Sequence, residues 1–322
     1  MKKFICVMLS ILMIAALFAG CGEKVDDGVI RIAIVQQLDH SSLDEIRLAA
    51  QAQLDKIAAE KGLTIEYKHF NGQNDTSILA QIGSQVVADG YDLILPIATL
   101  AAQYSVTAVE GKNIPVVYAA VSDPAGAGLT GFANVTGVSD ALNTPFILDM
   151  MLAADPDIQT VGLLYSLSEP NSELPIKEAK EYLDAKGIAY IEKTGNTADE
   201  VITAASALVG RCDAVFTPTD NAIMNVAPSV AEILMNAGIA HYTGADSFVQ
   251  AGSFVTCGVN YTDLGAYAAT MAMDILLGGE VPAFHVMEGG IITVNTDTAA
   301  ALGLDYSVFS TMGQIVEVTT AE

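Results

Sequence analysis

The chain has 322 residues, which is enough for two domains of ordinary size. It is 52% hydrophobic with a mean hydropathy of +0.42, and this composition excludes an intrinsically disordered chain. The 38 acidic and 14 basic residues give a net charge of −24. A surface of this charge repels phosphate groups, so the composition excludes nucleic-acid partners and electrostatic attraction to anionic lipids.

The N-terminus has the features of an export signal. Lys2 and Lys3 form a basic start, and residues 4–19 are a mostly apolar run. A helix of that length spans about 24 Å, which is shorter than the ~30 Å hydrocarbon core of a membrane. We therefore predict a cleaved signal peptide over residues 1–20 rather than a permanent membrane-spanning helix.

The residues Phe18-Ala19-Gly20-Cys21 resemble the bacterial lipobox, whose cysteine is lipidated and becomes the first residue of the mature chain. Phe18 stands where the lipobox usually has leucine. The alternative is a plain secretory signal with an incidental cysteine. The lipobox interpretation predicts lipid on Cys21, a short tether over residues 21–28, and an extracytoplasmic location at the bacterial cell membrane.

Cys212 and Cys257 are the cysteines that follow this segment. Cys212 precedes a predicted strand and Cys257 lies inside another, so two free buried thiols are favoured over one disulfide. The sequence has no CxxC motif and its four histidines are scattered. We therefore predict neither a metal site nor a cofactor.

Continuous apolar segments alternate with amphipathic ones, beginning with a strand at 29–36 and a helix that Ser41 or Ser42 caps and Gly62 ends. Further strands of the first half are predicted at 63–70, 91–98 and 114–121, and further helices at 77–88 and 100–109. After Gly137 the pattern restarts, with helices at 146–152, 173–186, 199–209, 222–237 and 264–277, a short helix from Thr298, and strands at 160–165, 188–193, 214–218, 240–244, 254–259 and 290–294. The pattern predicts an α/β fold of two doubly wound parallel-sheet lobes, joined without a long linker and therefore hinged.

Open parallel sheets bind ligands beyond the carboxyl ends of their strands. The segments after the strands contain short polar residues and few positive charges. The candidate ligand-binding residues in these segments are Ser42, Thr99, Leu100, Ala101, Ser122, Asp123, Ser139, Tyr165, Ser166, Asn171, Ser172, Thr219, Asp220, Asn221, Asp246 and Asn260.

These residue types suit a small ligand with an anionic and a cationic end. Thr99 can cap its helix and leave backbone N–H groups facing an anion, while Asp123, Asp220 and Asp246 can meet an ammonium group. The competing interpretation is that each of these residues only caps a helix, which is the interpretation we favour for Asp263.

Residues 126–131 spell the GxGxxG pattern of dinucleotide-binding proteins. That fingerprint must join a strand directly to a helix, whereas the segment that follows here is extended, so we predict a loop. No Walker A, GxSxG or HExxH motif is present, and no histidine has a partner that would make a catalytic triad. We therefore do not expect an enzyme. A two-lobed enzyme of similar fold remains an alternative class of function.

Several segments resemble the tryptophan/tyrosine-type substrate-binding lipoproteins of ABC transporters, which have a type I periplasmic-binding-protein fold. The residues that carry the resemblance are DHSSLD at 39–44, LPIATLAAQ at 95–103, AVSDP at 120–124, NVTGVSD at 134–140, LYS at 164–166, EPNS at 169–172 and PTDN at 218–221.

The resemblance implies a Venus-flytrap monomer that closes on an aromatic or other hydrophobic amino acid and delivers it to ABC permease and ATPase subunits. It also implies three crossings, with lobe 1 at 29–138 and 262–289 and lobe 2 at 139–261 and 290–316. Asp246 adds a carboxylate where relatives often have small neutral residues. A lipid-anchored sensor of the same fold, or a binding protein for a sugar or nucleoside, remains the alternative.

Overall fold

The computed structural model describes residues 27–321. The predicted signal peptide and Cys21 lie outside these residues. Two sheets organise the described chain, one with strand order β11-β5-β4-β3-β1-β2 and the other with order β13-β12-β10-β9-β8-β6-β7. We call the elements built on the first sheet lobe 1 and those built on the second lobe 2.

Lobe 1 has every strand pair parallel. Its strands are β1 (Val29–Gln36), β2 (Thr64–Asn71), β3 (Leu93–Ile97), β4 (Val116–Ala119), β5 (Val135–Ser139) and β11 (His285–Val286). Its helices are α1 (Ser41–Lys61), α2 (Thr76–Asp89), α3 (Thr99–Ala108) and α10 (Tyr261–Leu276), which packs along α1.

Lobe 2 is parallel apart from the antiparallel pair formed by β10 and β12. Its strands are β6 (Thr160–Tyr165), β7 (Ala189–Thr194), β8 (Ala214–Thr217), β9 (Ala240–Thr243), β10 (Val255–Gly258), β12 (Ile291–Asn295) and β13 (Ile315–Val318). Its helices are α4 (Thr144–Ala154), α5 (Glu173–Lys186), α6 (Ala198–Ser206), α7 (Asn221–Met224), α8 (Ala227–Asn236), α9 (Asp246–Gln250) and α11 (Thr296–Leu302), with 3₁₀ turns at Pro170–Ser172 and Ser307–Thr311.

The predicted fold class is confirmed, because two parallel-dominated sheets are each covered by helices. Strands β3, β4 and β8 are buried along their whole length, which is why they appear in the sequence as unbroken apolar runs. Gly62 ends α1 in the left-handed conformation with φ 64°, as predicted.

Strand β5 was not predicted, because its sequence VTGVS is short and has a glycine at its centre. The glycine is required there, since a Cβ on Gly137 would collide with the ring and carbonyl oxygen of Tyr118. The predicted loop over 126–131 has no helix or strand, and a short turn separates it from β5.

Three predictions of helix boundaries were wrong. The helix at 222–237 is two helices, because Pro228 lies in the first turn of α8 and cannot continue the hydrogen-bond ladder of α7. The cap of α10 is Asn260, whose side chain accepts the N–H of Asp263, so Asp263 is not the cap. The N-cap of α1 is His40 rather than Ser41 or Ser42.

Three segments of chain cross between the lobes. They follow β5, precede α10, and join β11 to β12. Short crossings of this kind let two lobes rotate about a common hinge.

Cys212 and Cys257 are buried and unpaired, which confirms the prediction of two free thiols. Among residues 27–321, none of the helices has the length and hydropathy needed to cross a membrane.

Candidate functional site

A cavity lies between the lobes, at the carboxyl ends of strands from both sheets. The space free of protein atoms there, which includes space open to the solvent, is about 360 Å³. Its lining residues are His40, Ser42, Leu43, Ala98, Thr99, Ala120, Ser122, Asp140, Asn171, Thr219, Asp220, Asn221, Met224, Ala245, Phe248 and Tyr261.

Direct hydrogen bonds close the cleft around this cavity. Ser122 Oγ lies 3.2 Å from Thr219 Oγ1, and the hydroxyl groups of Ser42 and Ser247 are also hydrogen-bonded to each other. Each pair joins a residue of lobe 1 to a residue of lobe 2. The lobes are therefore in contact on either side of the cavity.

The lobe 1 wall is the N-terminus of α3. The predicted cap, Thr99, is instead the first residue of the helix, and Ala98 occupies the cap position without a side-chain hydrogen bond. Ala98 has φ 75° and ψ 165°, and Ala120, the residue after β4, has φ 55°. These are backbone conformations that L-residues rarely adopt, and such strain is often found at ligand sites.

Thr99 is 2% exposed, and its Oγ1 has no hydrogen-bond partner within the described chain. A buried hydroxyl without a partner costs about 1–3 kcal/mol of stability. The hydroxyl and the partial positive charge of the helix end thus offer an anionic group a place in the cavity.

The lobe 2 wall presents a second unpartnered atom. Asn171 Nδ2 donates to the carbonyl oxygen of Thr219 at 2.5 Å, which fixes the orientation of the amide. Asn171 Oδ1 is buried and is not hydrogen-bonded to any described residue. An amide oxygen only accepts hydrogen bonds, so this wall suits a ligand N–H or O–H group.

Asp220 already has its hydrogen bonds within lobe 2. Its carboxylate accepts from Ser166 N–H and Ser172 Oγ, both at 2.7 Å, and from Ile223 N–H at 3.0 Å. Burial raises the pKa of Asp220 despite these donors. Both oxygen atoms of the Asp220 carboxylate are therefore occupied by donors of its own lobe.

A further carboxyl group, Asp140, lies at the first crossing. Ser122 Oγ donates to its Oδ1 at 2.9 Å and the Tyr261 hydroxyl donates to its Oδ2 at 3.2 Å, while burial raises the pKa of Asp140. No lysine or arginine is among the described residues that line the cavity. The cavity thus favours a cationic group at its acidic side.

Seven of the sixteen predicted binding residues line the cavity, and these are Ser42, Thr99, Ser122, Asn171, Thr219, Asp220 and Asn221. The other nine are not among its lining residues, and these are Leu100, Ala101, Asp123, Ser139, Tyr165, Ser166, Ser172, Asp246 and Asn260.

Several of these nine residues bond to the protein instead. Asp123 Oδ1 accepts the N–H of Gly126 in its own loop. Ser139 Oγ donates to the carbonyl oxygen of Ser122, and Tyr165 donates its hydroxyl to Glu192. Asn260 is an exposed helix cap. For this residue the competing interpretation holds, namely that a polar residue after a strand only caps the next helix.

Asp246 begins α9 and is half-buried next to the cleft. Burial, and then the charge of Glu45 on the opposite lobe, raise the pKa of Asp246 to about 6. Its Oδ1 has no hydrogen-bond partner in residues 27–321. The carboxylate of Asp246 is therefore close enough to lobe 1 to be affected by Glu45, but it is not among the residues that line the cavity.

Two residues at the contact between the lobes were missed by the sequence analysis. His40 lines the cavity, but a lone histidine after a strand carries no specific signal. Glu169 is 1% exposed and lies where the lobes meet, because Gln37 of lobe 1 donates to its Oε1 at 3.0 Å. Burial and the charge of Asp220 raise the pKa of Glu169 to about 8.

Comparison with known proteins assigns this arrangement to a family. The family model described as ABC transporter substrate binding protein matches residues 31–308. The chain belongs to the ABC transporter substrate-binding protein family. The family consists of binding proteins rather than enzymes, and the predicted resemblance is confirmed.

The tyrosine-binding protein of Clostridioides difficile (strain R20291) is 30% identical to this substrate-binding protein, over 94% of this chain and 93% of that protein. The crystal structure of an ABC domain in complex with L-Trp from Streptococcus pneumoniae is 30% identical, covers 89% of this chain and 99% of that chain, and superimposes with a TM-score of 0.82. These similarities confirm the type I periplasmic-binding-protein fold.

A third relative indicates the conformation of the lobes. The ligand-free, open structure of a substrate-binding protein with adhesive properties from Clostridium difficile is 32% identical, over 91% of this chain and 100% of that chain, but its TM-score is only 0.68. The chain described here superimposes better on the L-Trp complex than on this open structure, and its own lobes are joined by direct hydrogen bonds across the cleft.

Proposed function

We propose that this protein is the extracytoplasmic binding component of an ABC importer and captures an amino acid with an aromatic or hydrophobic side chain. The observation that carries the proposal is the polarity of the closed cavity. One wall has the N-terminus of α3 with the unpartnered Thr99 hydroxyl, and the opposite wall has the unpartnered amide oxygen of Asn171 beside Asp220.

These two walls match the two ends of a zwitterion. The ligand carboxylate lies at the helix end, where Thr99 Oγ1 donates to it. The ligand ammonium lies on the side of Asn171 and Asp220, where oxygen acceptors and negative charge are concentrated. A charge-assisted hydrogen bond contributes about 1.5–3 kcal/mol, so both ends together contribute substantially to the binding free energy.

The apolar lining supports a large hydrophobic side chain on the ligand. Leu43, Met224 and Phe248 line the cavity together with small alanine residues. An aromatic ring that buries ~150–250 Å² contributes about 4–6 kcal/mol. The tyrosine and tryptophan named for two relatives agree with this chemistry.

Closure links binding to transport in this proposal. A ligand that contacts both lobes has a higher affinity for the closed state and shifts the hinge equilibrium towards it. The closed protein then delivers the ligand to the permease and its ATPase subunits. The chain acts as a monomer held at the outer face of the cell membrane through lipid on Cys21, which the lipobox-like sequence supports.

The test is isothermal titration calorimetry of residues 27–322 with L-tyrosine, L-tryptophan, L-phenylalanine, glucose and a nucleoside. We expect at least one aromatic amino acid to bind with micromolar or tighter affinity and the sugar and nucleoside to give no heat of binding. Binding of the sugar or the nucleoside, with no response to any of the amino acids, would contradict the proposed ligand class.

A further inference from the structure

A chain of buried polar side chains runs across the closed cleft, from Gln37 through Glu169 and Asn221 to His40. Gln37 Nε2 donates to Glu169 Oε1 at 3.0 Å, and Asn221 Nδ2 donates to Glu169 Oε2 at 2.8 Å. Asn221 Oδ1 then lies 3.0 Å from His40 Nε2. Gln37 and His40 belong to lobe 1 while Glu169 and Asn221 belong to lobe 2, so the chain forms only when the lobes close.

The direction of these hydrogen bonds starts from the backbone. The N–H of Leu100 can only donate, and it donates to Gln37 Oε1 at 3.1 Å, so the amide nitrogen of Gln37 must face Glu169. That nitrogen also donates to Asn74 Oδ1 at 2.9 Å. The amide donors of Gln37 and Asn221 favour the ionised carboxylate of Glu169, whereas burial and the charge of Asp220 favour its protonated form.

Burial and the charge of Asp220 raise the pKa of Glu169 to about 8, and above that pH its ionised carboxylate determines the tautomer of His40. A carboxylate accepts hydrogen bonds only, so Asn221 presents its NH₂ group to Glu169 and its oxygen to His40. His40 must then have its proton on Nε2. Burial lowers the pKa of His40, and a neutral imidazole carries one N–H, so Nδ1 is left as an acceptor. His40 lines the cavity, and Nδ1 is buried without a hydrogen-bond partner in the described chain.

We propose that Glu169 is a positioning residue that sets the specificity of the cleft for ligands with an amine group. It acts through Asn221, which holds the His40 proton on Nε2, so that Nδ1 accepts a hydrogen bond from the ligand ammonium beside Asn171. This inference rests on the proposed function and deepens it, because it names the part of the site that recognises the amine.

The substitution Glu169→Gln reverses the chain while keeping its shape. The carbonyl oxygen of the new amide stays with the donor of Gln37, so its NH₂ group faces Asn221. Asn221 must then turn its oxygen to residue 169 and its NH₂ group to His40 Nε2. The His40 proton moves to Nδ1, where it points at the ligand ammonium instead of accepting from it.

The test compares each amino acid with its analogue that lacks the amine. Calorimetry is performed with L-tyrosine and 3-(4-hydroxyphenyl)propanoate, and with L-tryptophan and 3-(indol-3-yl)propanoate. At pH 8.5, where Glu169 is mostly ionised, the amino acid that binds to the unmodified protein should exceed its analogue in affinity by at least about tenfold. In Glu169→Gln the ratio of the affinity for the amino acid to that for its analogue should fall by roughly 10- to 100-fold. The affinity for the analogue itself should change much less. The control Glu232→Gln removes the same charge from an exposed position on α8 and should leave the ratio unchanged.

Protonation of Glu169 should have the same effect as the substitution, so the amine preference of the unmodified protein should rise between about pH 6 and pH 8.5. The charged groups that act on this chain are Asp220 on Glu169, and Asp39 and Asp44 on His40. These aspartates and Asp246 are present in the unmodified protein and in Glu169→Gln, so they do not cause a difference between the two. The amine preference of Glu169→Gln should therefore change less with pH than that of the unmodified protein, and equal pH profiles would overturn the proposal.

A measurement without substitution covers the case in which Glu169→Gln fails to fold. In ¹⁵N NMR spectra of the complex with the amino acid, His40 should have its proton on Nε2, and a proton on Nδ1 would overturn the inference. An unchanged ratio in folded Glu169→Gln would overturn the inference alone. Equal affinity of the unmodified protein for amino acids and their analogues, or no binding of either, would contradict the proposed function as well.

Discussion

Individual polar residues of the cleft are arranged at a cost to the stability of the fold. Thr99 Oγ1, Asn171 Oδ1 and His40 Nδ1 are all buried without a partner in the described chain. A folded chain without a function there would satisfy or replace such groups, because each costs about 1–3 kcal/mol. Thr99 and Asn171 could be predicted, since polar residues after parallel strands reach the cleft. His40 and Glu169 could not, because their roles depend on contacts between lobes.

Other buried polar residues are fully satisfied and serve only the fold. His241 on β9 lies 2.9 Å from Thr217 Oγ1 and 2.9 Å from Ser253 Oγ, and it does not line the cavity. Burial lowers the pKa of His241 to about 3. The folded state therefore keeps this imidazole neutral, whereas the unfolded chain takes up a proton below about pH 6.5.

This difference predicts a pH-dependent stability. The unfolded state binds the extra proton, so the contribution of His241 is present above about pH 6.5 and is lost as the pH falls towards 3. In urea unfolding between pH 4 and 6, His241→Gln should lower the slope of the unfolding free energy against pH by about 1.4 kcal/mol per pH unit. His285→Gln, at a partly exposed position on β11, is the control for the loss of a histidine side chain. A wild-type slope retained in His241→Gln would contradict this assignment.

Elements that are buried on both faces could be predicted from the sequence, and elements shaped by a local contact could not. Strand β3 is apolar at all its positions, so its pattern identifies it. Strand β5 depends on the ring of Tyr118 lying over Gly137, and the break before α8 depends on Pro228. The strained start of α3 has no sequence signal, because alanine occupies the cap position in a conformation typical of glycine.

The strain at Ala98 predicts an unusual response to glycine. Ala98→Gly relieves strain of about 1–3 kcal/mol, which offsets the loss of a buried methyl group and the added flexibility of the unfolded chain. Its free energy of unfolding should stay within about 1 kcal/mol of the unmodified protein. Ala101→Gly in the same helix is buried and unstrained, and it should lose about 2 kcal/mol. Denaturant unfolding of both variants is the measurement, and equal losses would show that Ala98 is not strained.

At the scale of the whole molecule, the two lobes could be predicted from the repeated alternation of strands and helices. The contacts between them could not, since Ser122–Thr219 and Gln37–Glu169 join residues that are 97 and 132 positions apart in the chain. The closed arrangement brings the acidic residues of the cleft together and leaves the cavity without a protein cation among its lining residues. In the proposed function, a ligand ammonium group supplies the missing positive charge and thereby couples ligand binding to closure.

The most direct test of this account is a crystal structure of the protein with the aromatic amino acid that calorimetry shows to bind. We expect the ligand between the lobes, with its carboxylate at the N-terminus of α3 near Thr99 Oγ1 and its ammonium within hydrogen-bond distance of Asn171 Oδ1 and His40 Nδ1. A ligand bound to one lobe alone, or one whose carboxylate lies at Asn171 and whose ammonium lies at Thr99, would contradict it.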